Sequence, residues 1–95
     1  MVNQFGDKIK QLREANSLLQ RQVAGFLDID TPMLSKIERG ERKAKKEQII
    51  QFAKLFKTSK DELMALWLAS QILDIVDDEK VAAQAIGIAL KQIKK

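Results

Sequence analysis

The segment from Leu19 to Arg42 constrains the fold more than any other part of the chain, because it sets two short helices around one tight turn. Val23, Ala24 and Leu27 recur at helical spacing before the turn, and Leu34 and Ile37 supply the apolar pair after it. Two helices joined by three residues, each with one apolar face, must cross and share a core. Asp28 stands in the turn, and Asp is among the few residues other than glycine that tolerate a left-handed backbone. Asp30 or Thr31 can cap the second helix. Pro32 falls in its first turn, where a missing N–H costs nothing, and Gly40 fits a helix stop. The outward face of this second helix is polar and basic.

A helix, a three-residue turn and a second helix with such a face is the geometry of a DNA-reading helix-turn-helix. The pattern Gln20-x-x-Val23-Ala24, followed by Ser35-x-Ile37-Glu38-x-Gly40, resembles the Cro/CI-type (XRE) helix-turn-helix regulators of phages and bacteria. The likeness covers about Phe5 to Leu66. It implies an all-α fold, a five-helix lambda-repressor-like DNA-binding bundle over residues 1–68; residues 69–95, by their own apolar pattern, read as a C-terminal helical extension expected to dimerise. It further implies that Gln20 opens the supporting helix, anchors to phosphate and braces the recognition helix, which runs from Thr31 to Arg39 in the major groove. Glu38 would pair with Arg13 of the first helix in a structural bridge, with no contact to DNA. Two positions depart from the family pattern. Leu19 replaces the usual Ser or Thr cap, leaving Ser17 as a substitute, and Asp28 replaces the usual turn glycine.

Charge placement agrees with a polyanion partner. The net charge is +4, and residues 1 to 46 hold ten Lys/Arg against six Asp/Glu, so the whole excess lies in the half that carries the motif. Lys36, Arg39, Arg42, Lys43, Lys45 and Lys46 cluster within the second helix and the loop behind it, where a phosphate backbone would pass. Candidate base contacts are Thr31, Pro32, Ser35, Lys36 and Arg39. Lys36 can donate to guanine O6 and N7, Thr31 and Ser35 can hydrogen-bond base edges, and Pro32 or the Thr31 methyl can touch a thymine methyl. Candidate phosphate contacts are Gln20, Arg21, Arg42, Lys43, Lys45 and Lys46, which supply salt-sensitive affinity without sequence information. Met33 fits either the core or the DNA surface, since Met fills irregular gaps.

Phe5, Ile9 and Leu12 place a first helix over about Gln4 to Ala15. Gly25 inside the supporting helix costs about 1 kcal/mol relative to Ala unless it permits close packing. A fourth helix over about Lys46 to Phe56 turns Ile49, Ile50, Ala53 and Phe56 inward, with Phe52 and Leu55 on its flank. Ser59-Lys-Asp-Glu62 is a capping box that starts a fifth helix. Leu63, Met64, Leu66, Trp67, Leu68, Ile72, Leu73, Ile75 and Val76 then wrap more than one of its faces, so another surface must cover it. Asp77, Asp78 and Glu79 read as the acidic start of a sixth helix bearing Val81, Ala82, Ala85, Ile86, Ala89, Leu90 and Ile93. From Asp61 to Glu79 there are six acids and no base, a composition repelled by DNA and suited to protein contacts. Trp67, Leu68, Ile72, Ile75, Val76, Ile86 and Ile93 are accordingly the expected homodimer interface. The rival arrangement folds the sixth helix back over the fifth within one chain.

The absence of Cys and His removes disulfides, thiolate nucleophiles, imidazole bases and the usual zinc and haem ligands. No convergent catalytic set remains, so no enzyme, cofactor or metal is expected. A small-molecule effector is not expected either. With neither a signal peptide nor a membrane span legible, the expected setting is the cytoplasm, on double-stranded DNA and without membrane contact. The leading reading is a dimeric, sequence-specific repressor on a palindromic operator. The resemblance also covers restriction-modification controllers and antitoxins, and a protein-interaction module using the C-terminal helices is the alternative of another class.

Overall fold

The computed structural model describes residues 3–94, and six helices make up the regular structure of that span. These are α1 (Gln4–Ala15), α2 (Gln20–Phe26), α3 (Thr31–Glu38), α4 (Lys46–Phe56), α5 (Lys60–Val76) and α6 (Ala82–Ile93). The first five pack around one core. α3 lies against α1 and α2, and α5 lies against α1 and α4. Phe52 sits at the centre, fully buried, edge-on to Phe5 at 6.3 Å between ring centroids and stacked on Phe56 at 5.9 Å. Ile9, Val23, Leu34, Ile49 and Leu63 close the core around these rings.

Local chemistry sets the helix ends. Asp30 accepts the Met33 N–H through Oδ1 at 2.8 Å, and Ser59 accepts the Glu62 N–H at 3.1 Å. Asp28 adopts φ 57° in the turn between α2 and α3, and Gly40 adopts φ 77° just past α3. At α2 the substitute cap is Gln22, not Ser17. The Gln22 carboxamide oxygen accepts the Leu19 N–H at 2.8 Å, while Ser17 occupies a left-handed turn at φ 56°. Gln48 does the same for the Lys45 N–H ahead of α4, also at 2.8 Å.

Several expectations are corrected by packing. In α4 the inner stripe is Ile49, Phe52, Ala53 and Phe56, so Phe52 moves from the flank to the centre and Ile50 turns outward at 40% exposure. Ile50 lies about 100° round the helix from Ile49 and cannot share its face. A Cβ on Gly25 would meet nothing within 4 Å, so that glycine permits no close packing. Asp77, Asp78 and Glu79 lie in the connection before α6 and not in its first turn. Trp67, grouped by sequence with the exposed apolar set, is 8% exposed and donates its indole N–H to the Ala44 carbonyl at 2.9 Å. It is the last buried residue of the bundle.

Beyond Trp67 most large apolar side chains are exposed, although Val76, expected at the interface, is half-buried in the single chain. Leu68, Ile72, Leu73 and Ile75 are exposed on α5, and no residue of α6 is buried. The fold-back of α6 over α5 therefore does not occur in the single chain. No helix among the described residues is long and apolar enough to cross a membrane.

Candidate nucleic-acid interface

The α3 helix divides cleanly. Leu34, Ile37 and Glu38 face the bundle and are buried, whereas Thr31, Pro32, Ser35, Lys36 and Arg39 lie along the opposite face at i, i+1, i+4, i+5 and i+8. Pro32, Lys36 and Arg39 are exposed, and Thr31 and Ser35 are partly so. Met33 is half-buried at the edge of the core.

Glu38 fixes the orientation of this helix. It is 4% exposed, and its carboxylate takes a bidentate pair of hydrogen bonds from Arg13, Nε to Oε2 at 2.7 Å and one terminal nitrogen to Oε1 at 3.2 Å. Gln20 Nε2 donates to the same Oε1 at 3.0 Å, and the second terminal nitrogen of Arg13 donates to the Leu18 carbonyl at 3.0 Å. One carboxylate thus ties α1, the α1–α2 loop and α2 to the inner side of α3. The hydrogen bonds that Arg13 donates to Glu38 raise its pKa above the ordinary value, despite the opposing effect of burial.

A second clamp holds the same C-terminal end of α3, through the backbone of Glu38. Asn3 Nδ2 donates to the Glu38 carbonyl at 2.7 Å. A Cβ on Gly6 would overlap that same carbonyl oxygen, so α1 and α3 approach as closely as they do because residue 6 has no side chain. The only sequence signal was a glycine in the first turns of a helix.

Behind α3 the loop to α4 carries Arg42, Lys43 and Lys45, and Lys46 opens α4. All four are exposed, as is Arg21 on α2, and none of them forms an ion pair among the described residues. Lys43 instead sits 5.8 Å over the Trp67 ring, a cation–π contact that joins the basic loop to α5. Ala44 is buried beneath the loop.

Two residues are placed otherwise than a free DNA-contacting side chain would be. Arg39 is folded onto Ser35 Oγ and the Glu41 carboxylate, the latter at 2.5 Å, so it must exchange those partners to reach a base. The Arg39 hydrogen bond and charge hold the Glu41 carboxyl below the usual carboxylate range, and both side chains are open to solvent. Gln20 commits its amide nitrogen to Glu38, which leaves its carbonyl oxygen and second N–H for other contacts. Among the described residues no group of three or more acidic side chains is placed to hold a metal ion.

The exposed polar face of α3 is edged by unpaired cations and braced from behind by a buried carboxylate, a concentration of positive charge suited to a polyanion. No curated protein and no solved structure matches the chain significantly. The sequence profile of a helix-turn-helix domain matches residues 4–67, the span from the start of α1 to Trp67. In keeping with its likeness to Cro/CI-type regulators, the chain belongs to the helix-turn-helix domain family.

Proposed function

We propose that this protein is a sequence-specific transcriptional regulator of double-stranded DNA, a repressor that binds a two-fold related operator as a homodimer. The observation that carries the reading is the pairing of Lys36, central on the exposed face of α3, with five exposed and unpaired cations around it: Arg21, Arg42, Lys43, Lys45 and Lys46. Lys36 together with Thr31, Pro32 and Ser35 reads bases, and Arg39 joins them after release from Glu41. The surrounding cations and Gln20 bind phosphate and set the register. A repressor needs no further part, because occupation of a promoter by the dimer is enough to block it.

The dimeric element of the proposal rests on exposed apolar surface. Ile75 and Ile93 are each 80% exposed, and Leu68, Ile72, Ile86 and Leu90 add to them on the same two helices. A contiguous apolar surface of several hundred Å² or more marks an interaction face. Pairing through it would set two α3 helices about 34 Å apart, one turn of DNA. Selection of bound sites from random duplex DNA, followed by footprinting, tests the proposal. The expected result is an inverted repeat with half-site centres about 10–11 base pairs apart or a multiple of that spacing. Enrichment of no sequence at physiological salt rejects specific recognition.

A further inference from the structure

Resting on that dimeric reading, we infer that the two copies exchange arms, so that α6 of each chain lies across the distal half of α5 of the other.

The α6 helix is made for burial. Ala82, Ala85, Ile86, Ala89, Leu90 and Ile93 form a single uncharged stripe along it, with alanines at three positions that let another helix approach closely. Yet none of its residues is buried in its own chain. On α5, Leu68, Ile72 and Ile75 stand at i, i+4 and i+7, an equally uncharged and equally uncovered stripe. Each chain therefore carries one unoccupied donor face and one unoccupied acceptor face.

Residues 77–81 join the two helices, with Asp77 extended at ψ 134° and Asp78 left-handed at φ 64°. In that arrangement no residue of α6 is buried against its own chain. A short hinge between two such faces is a usual setting for exchange of an identical element between two copies.

The uncovered area is as large as pairing with a second copy requires. The chain exposes 6782 Å², whereas a folded monomer of 10.8 kDa exposes about 5,500 Å². Its radius of gyration is 14.7 Å against about 12 Å for a compact chain of 95 residues. The excess is about 1,200 Å² per chain, more than the roughly 800 Å² that each partner contributes to a stable complex. Two copies that cover each other's stripes remove it without any further protein.

Two full-length variants test the exchange, Ile72→Asp on the acceptor face and Ile86→Lys on the arm. Both residues are exposed in the single chain, so the five-helix bundle persists in each, which circular dichroism and binding to an isolated half-site will verify. In an exchanged dimer each variant alone damages both contacts, and its dimer dissociation constant should rise roughly 100-fold, as expected of a charge placed in an apolar contact. An equimolar mixture should recover dimer, because the mixed pair contains one unaltered contact and one in which the introduced carboxylate meets the introduced ammonium. Sedimentation equilibrium reads all three samples. If wild-type protein dimerises but Ile86→Lys dimerises equally well, or if mixing restores nothing, α6 is not exchanged while the dimeric regulator reading stands. If wild-type protein stays monomeric at several hundred micromolar, the dimeric reading and the exchange fail together, and the face serves a different protein.

Discussion

Gly6 and Gly25 are both helical glycines, yet their surroundings assign opposite signs to the same substitution. Gly25 has open space where a Cβ would stand, so Gly25→Ala should stabilise the protein by about 0.5–1 kcal/mol through helix propensity. A Cβ on Gly6 would meet the backbone oxygen of Glu38, which cannot rotate aside, so Gly6→Ala should destabilise by about 1–3 kcal/mol. Urea denaturation midpoints check both, and equal shifts for the pair would refute the close approach of α1 and α3. The cations divide in a similar way. Lys36→Ala should cost about 1–3 kcal/mol on the preferred site and less on random DNA. Lys43→Ala should weaken both sequences alike and flatten the dependence of log K on log salt by about one unit per protomer. Binding titrations at several salt concentrations measure this, and equal losses on both sequences for Lys36→Ala would remove its reading role.

Among the elements, α3 depends on the rest of the molecule, because at eight residues it is too short to persist alone. Its position comes from Leu34 and Ile37 in the core and from the Glu38 carboxylate shared by Arg13 and Gln20. Removing one partner leaves a buried charge without its counterpart, so Arg13→Ala or Glu38→Ala should each cost about 3–5 kcal/mol. The double variant should cost less than the two losses combined. A double-mutant cycle on stability checks this, and strict additivity would mean that the pair makes no energetic contact. The bounds of α1 and α4 and the start of α5 were legible because each is announced by local chemistry, an apolar stripe or a capping side chain. The cap of α2 was not, because Gln22 holds the third helical position of a capping box whose usual Ser or Thr partner is replaced by Leu19. The Asn3 clamp was equally hidden, since its partner carbonyl lies 35 residues away in sequence.

At the scale of the whole molecule, the separation of the two recognition surfaces in a dimer should govern affinity. Inserting about five base pairs between half-sites turns them to opposite faces of the duplex, and the expected outcome is loss of dimer affinity to that of an isolated half-site. Electrophoretic mobility shifts with spaced operators measure it, and indifference to spacing would argue for independent monomers. Legible along the chain are the helix-turn-helix, its polar outer face, the concentration of charge behind it and the excess of apolar residues after Leu63. These follow from periodicity, capping and turn chemistry, which act over a few neighbouring residues and so can be read along the chain. Which side of α4 is inner was set by packing. Phe52 took the centre and Ile50 the surface, because three neighbouring helices converge on one side of α4. It also withdrew Trp67 into the bundle, where the Ala44 carbonyl accepts its N–H, and left α6 without cover. Such outcomes depend on which distant surfaces meet, and no local pattern of residues encodes that.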